Sequence, residues 1–172
     1  MLKKLLPFEE LLYHSKLNKE ELLQHLKNEI EAEKSFGLGA HRHSYSKPYI
    51  GKVFNNQFEI KRAINYRNSF LPIINGEIHD AVNGSKIKIK LKLTDIVKVF
   101  MIVWLSGVFL ACIAAGVNFA INGFDPETEA TIFIPFGMLL FGILMVTISF
   151  KAESTKSKKD LEEILQARII EN

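Results

Sequence analysis

Residues 99–121 and 131–150 run for 23 and 20 positions without one charged side chain, in a chain of 172 residues. A bilayer core of ~30 Å takes about 20 apolar residues of helix at 1.5 Å rise, and both stretches reach that length. Buried helices of water-soluble proteins rarely stay uncharged for more than about 14 residues. Only residues 122–130 separate the two stretches, so the pattern predicts a transmembrane hairpin. Its polar positions are mild. Ser106, Thr147 and Ser149 can bond back to their own helix, and Asn118 falls near an end. Pro135 is close enough to the start of the second stretch to be tolerated there.

Residues 1–95 read as one small domain, beginning with a strand over residues 10–17. Asn18 with Glu21 three positions on is a capping-box start. It opens a helix over residues 19–31, where Leu22, Leu23, Leu26 and Ile30 line one face. Residues 36–47, with Gly37 and Gly39, read as a loop or irregular strand. The period then changes to two. Residues 49–55 and 57–65 form a predicted hairpin across Asn55-Asn56, with Phe58, Ile60, Arg62 and Ile64 on one face. Residues 69–82 read as a long strand in which Pro72 implies an edge or a bulge. Asn83-Gly84 predicts a type I′ turn into a final strand over residues 85–94. After Lys151, the spacing of Leu161, Ile164, Leu165 and Ile169 predicts an amphipathic helix to the end of the chain. Docking on its own domain and binding of a partner both suit such a stripe.

The fold class is therefore an α+β membrane protein. A small antiparallel β-meander domain with one N-terminal helix is followed by a two-helix transmembrane hairpin and a C-terminal amphipathic helix. The expected segments are a cytoplasmic domain over 1–95, spans over 96–121 and 131–150, an external loop over 122–130 and a cytoplasmic tail over 151–172. A pleckstrin-homology-like half-barrel is the nearest analogue for the soluble part, although its closing helix is missing unless the tail supplies it.

Charge gives the hairpin a direction. The loop holds Asp125, Glu127 and Glu129 and no basic residue, whereas residues 1–98 hold 17 basic and 11 acidic side chains. Basic residues are retained on the cytoplasmic side, so both termini are expected there. Cys112, the single cysteine, lies within the first span, which excludes an intrachain disulfide. Residues 1–10 lack the apolar run and cleavage site of a signal peptide.

Candidate chemistry is sparse. Lys86, Lys88, Lys90 and Lys92 alternate with Ile87, Ile89, Leu91 and Leu93, so a strand sends all four lysines to one face. Such a face suits anionic lipid headgroups or an acidic peptide or protein; as a plain solvated face it would block edge-to-edge pairing. Arg67 and Asn68 sit at a turn, where a guanidinium can grip a carboxylate or phosphate or the pair can simply shape the turn. Gly107, Ala111 and Ala115 form a ridge of small residues suited to helix packing within the hairpin or to homo-oligomerisation. His41 and His43 are two apart, but zinc takes three or four ligands and no spacing completes a set. No metal or other cofactor, no nucleic acid and no catalytic constellation is indicated.

Lys47-Pro48-Tyr49 with Gly51, the run Tyr66-Arg67-Asn68-Ser69-Phe70-Leu71-Pro72, Gly76, Ile134-Pro135-Phe136-Gly137-Met138 and the Lys-rich start of the tail resemble a family of small two-helix bacterial membrane proteins frequent in the Bacteroidetes. The resemblance implies a bacterial inner-membrane setting and brings no known activity, cofactor or site residue. Two expectations follow: a non-enzymatic anchored module that binds lipid, peptide or protein at the inner leaflet, or an accessory or self-assembling subunit of a membrane complex or transporter.

Overall fold

A computed structural model describes residues 6–33, 45–123 and 129–171. It divides into two compact units. The first joins residues 1–94 to residues 150–172, and the second is the intervening stretch Asp95–Ser149.

The first unit is built on a seven-stranded sheet of order β2-β3-β4-β5-β6-β1-β7. β1 spans Phe8–Ser15, and helix α1 follows over Lys19–Glu29. The capping box forms as the sequence predicts: the Glu21 amide donates to Asn18 Oδ1 at 2.8 Å, and the Asn18 amide donates to Glu21 Oε2 at 3.1 Å. The helix stops at Glu29 rather than residue 31, because Ile30 turns extended and starts β2, Ile30–Ala32. β2 lies parallel to β3, and every other pairing is antiparallel.

β3 (Tyr49–Phe54), β4 (Gln57–Arg62), β5 (Ile73–Ala81) and β6 (Gly84–Lys92) make the expected meander. Asn55 supplies the positive φ of the first turn. Two local expectations are corrected. β5 starts only after Pro72 and lies between β4 and β6, so the proline marks neither an edge nor a bulge. The β5–β6 turn consists of Val82 and Asn83, since Ala81 pairs with Gly84, and its positive φ falls on Gly84 and not on Asn83. A Cβ at Gly84 would also run into the Ser15 carbonyl oxygen, so both space and backbone angle select glycine there.

The largest correction concerns the tail. Helix α4, Ile134–Ile164, ends before β7, Ala167–Glu171, which pairs antiparallel with β1. The helical spacing of Leu161, Ile164 and Leu165 is real, but Ile169 belongs to a strand. Gln166 breaks the helix by adopting φ 46°. The carbonyl of Leu165, left without a helical partner, accepts from the buried Ser15 hydroxyl at 2.8 Å. The stop signal is thus a side chain 150 positions away, with no glycine or proline to announce it.

One face of the sheet is covered. Leu11, Tyr13, Ile60, Ile74, Ile78, Ile87, Ile89 and Leu91 bury there with Leu22 and Leu26 of α1 and Phe150, Leu161 and Leu165 of the tail. Ser154 and Ser157 are also buried on α4, small enough to bring its backbone close to the sheet. The sheet order is linear, with β2 and β7 at its ends, so no strand pairing closes it into a half-barrel among the described residues.

The second unit holds α2 (Asp95–Asn122), the short α3 (Glu129–Ile132) and the first part of α4. α2 and α4 are long and apolar enough to cross a membrane. Only 17% of each apolar window is buried, which is the reverse of a soluble core helix. Gly123 ends α2 with φ 70°, its amide donating to Phe119 O at 2.9 Å. The second apolar stretch is not one helix. It breaks at Phe133, because Pro135 has no amide to donate and its ring would strike the carbonyl four residues back. Within this unit the Trp104 ring lies against Gly142, where a Cβ would collide with it.

Phe150, Leu161 and Leu165 are fully buried, and burial of each such side chain contributes about 2 kcal/mol. Their sum rivals the net stability of a small domain. A fragment ending at residue 95 is therefore expected to lack a cooperative unfolding transition, and a synthetic peptide of residues 150–172 to restore it. A fragment that melts cooperatively and identically without the peptide would contradict the shared core.

Candidate functional site

The reverse face of the sheet is open, and β6 runs through its middle. Ile87, Ile89, Leu91 and Leu93 are at most 1% exposed, while Lys86, Lys88 and Lys90 are exposed and Lys92 is half-buried. The period-two expectation therefore holds residue for residue. Strand order removes one explanation for it. β6 is hydrogen-bonded to β5 on one side and β1 on the other, so its lysines guard no free edge. Their neighbours are partly acidic: Lys90 Nζ lies 3.0 Å from Glu10 Oε1, and Lys88 stands opposite Glu77. A concavity of about 330 Å³ opens on this face, lined by Lys52, Phe54, Glu59, Glu77, Lys88 and Lys90 among others.

The turn at Arg67-Asn68 is built by the asparagine. Asn68 Oδ1 accepts from the Phe70 amide at 2.9 Å, and its carbonyl from the Leu71 amide at 3.3 Å. Arg67 is exposed. The guanidinium that grips carboxylates is instead Arg62 on β4. Its Nη1 donates to Glu153 Oε2 at 2.8 Å, and its Nε lies 3.3 Å from Asp160 Oδ2. Tyr66 donates its hydroxyl to Glu153 Oε1 at 2.6 Å, and Tyr49 donates to Asp160 Oδ2 at 3.1 Å.

A second cluster binds α4 to β1. Glu9 accepts from Lys151 Nζ at 2.6 Å and pairs with Lys158 Nζ at 2.5 Å. Lys158 and Asp160 both reach strands rather than their i+4 or i−4 neighbours. Burial alone would raise the Glu9 carboxyl, but the hydrogen bonds and charges of Lys151 and Lys158 outweigh it and hold the group below its ordinary value. Glu153 behaves alike, with burial opposed by hydrogen bonds from Tyr66 and Arg62. Both clusters bind α4 to the sheet, and neither faces the open side.

The remaining sequence candidates lie elsewhere. Gly107 and Ala111 are exposed and Ala115 is half-buried; a Cβ at Gly107 would meet nothing within 4 Å. The buried positions of α2 are Met101, Val108 and Cys112, so most of the small-residue ridge is turned away from the helix's own packing face. His41 and His43 lie outside the described residues, among which no three metal-ligating side chains converge.

Depressed carboxylates stabilise the fold above their unfolded value, near 4.5, and that contribution is lost as pH falls through their lower folded values. Thermal melts of the detergent-solubilised chain should be flat at neutral pH and fall steeply only below that value. Replacing Glu9 by Gln should lower stability by about 2 kcal/mol at pH 7 and flatten the acid limb, since hydrogen bonds between charged groups are worth about that much. An unchanged acid limb would show that the Glu9 cluster does not hold the tail.

Comparison with known protein families, curated proteins and solved structures finds no match to this chain.

Proposed function

We propose that this chain is a non-enzymatic, membrane-anchored module of the bacterial inner membrane, with both termini cytoplasmic. Its role is to present the open sheet face to anionic lipid headgroups. The observation that supports this most is the lysine column of β6. It stands on an interior strand with its reverse side packed, so the lysines have neither an edge to protect nor a core to cover. Each basic residue near an anionic leaflet gains roughly 1 kcal/mol, most of all Lys86 and Lys92, which have no carboxylate as register partner. An acidic peptide or protein segment is the related occupant.

A label at position 88 in a Cys112→Ser background tests the reading. With the full chain in nanodiscs, emission should shift between zwitterionic and anionic lipid, and the shift should shrink when Lys86, Lys90 and Lys92 become Ser. Equal emission in both lipids would overturn lipid docking.

A second reading, an accessory or self-assembling subunit, is favoured by the open surface at Gly107 and Ala111. Helices in lipid associate by close packing across small residues. Cross-linked oligomers of the solubilised chain should then disappear on Gly107→Leu with Ala111→Leu. A strict monomer before substitution would remove this reading.

A further inference from the structure

The open face carries its charges in rows that run across the strands. Strand register puts Glu10, Lys90, Asn75 and Glu59 in one row, and Leu12, Lys88, Glu77 and Gln57 in the next. Each of these rows sets a lysine beside a carboxylate on a neighbouring strand. Opposite charges facing across strands stabilise a sheet, and like charges do the reverse.

The following row breaks that rule. Arg168 of β7, His14 of β1, Lys86 of β6 and His79 of β5 are successive register partners, and no acidic residue stands among them. Lys86, Arg168 and His79 are exposed and His14 is half-buried. Two carboxylates approach from outside the row. Glu77 Oε1 is 3.7 Å from His79 Nε2, and Asp80 borders the adjoining concavity while its Oδ2 lies 3.9 Å from Lys19 Nζ. Among the described residues, neither Lys86 nor Arg168 forms an ion pair.

We propose that this row is a binding site for the phosphate of a soluble phosphomonoester. Neighbouring strands are about 4.8 Å apart, so the four side chains start from points spread over roughly 15 Å. His14 and Lys86 are the central pair, flanked by Arg168 and His79 on the adjoining strands. A phosphate dianion has three oxygens to share, and imidazole and guanidinium N–H groups donate to it directionally while an ammonium adds point charge. A concavity of about 510 Å³ lined by His14, Asp80, Asn83 and Lys86 leaves room for the organic part of the ligand. A soluble source is favoured because the concavity bordering the row, rather than the row alone, can take the organic part of a small ligand. The site needs the open face to be accessible and does not depend on lipid docking.

The test follows the imidazole resonances of His14 and His79 in the full chain, held in zwitterionic nanodiscs. Inorganic phosphate and glycerol phosphate are titrated at constant ionic strength. Saturable shifts at both histidines are expected. Lys86→Ser and Arg168→Ser should each weaken apparent affinity about tenfold, Lys86→Arg should retain most of it, and Lys92→Ser should change it less than twofold. Unchanged melting temperatures in the same variants separate lost binding from lost folding. Shifts that rise linearly and match those with chloride would overturn the site. So would equal weakening by Lys92→Ser, which marks a diffuse field. Shifts produced by phosphatidic acid in the disc, but by neither soluble probe, would move the ligand to the membrane and overturn the soluble assignment.

Discussion

The soluble unit depends on the seating of the last part of α4 against the sheet. Phe150, Leu161 and Leu165 enter the same core as the strands, and Ser154 and Ser157 keep the contact close. Ion pairs on either flank fix the helix laterally: Lys151 and Lys158 to Glu9 on β1, Glu153 and Asp160 to Arg62 on β4. Apolar burial supplies most of the attraction, while the charges determine where along the sheet the helix sits, because an unpaired partly buried charge is costly. The serine cap on Leu165 then ends the helix where β7 can reach β1.

With that face closed, the proposed sites fall on the other. The lysines of β6 owe their exposure to the burial of Ile87, Ile89 and Leu91 behind them, so packing and candidate chemistry are two sides of one alternation. The alternation alone does not make a site. In two of the rows a cross-strand carboxylate offsets the lysine; Lys92 stands between Phe8 and Ile73, and the row of Lys86 adds Arg168 to its unopposed lysine.

What could be read from the chain divides along the range of the forces involved. The apolar stretches, the Asn18 capping box, the alternation of β6 and the four-strand meander are set by neighbours in sequence, and each is found. The β7 strand was illegible because its cause is Ser15, distant in sequence, and because a short apolar stripe fits helix and strand alike. The Asn83 expectation fails by one residue, the scale on which turn chemistry and strand ends trade places, and the Pro72 expectation fails because β5 begins after it and lies inside the sheet. Arg62 reads in sequence as one member of a strand face, whereas its two carboxylates come from α4. The row of Arg168, His14, Lys86 and His79 has no local signal at all. It exists only once β1 is inserted between β6 and β7.

The division of the soluble unit between the two ends of the chain has a consequence for biogenesis. While the ribosome is still making the hairpin, β1 has no β7 beside it and the sheet has no tail to complete its cover. The domain therefore finishes folding only after both apolar segments have been synthesised. Completion of the sheet thus waits on synthesis of the last strand, and a chain that lacks it is left with an open β1 edge and an incomplete core. Such a chain is marked for proteolysis by its own structure.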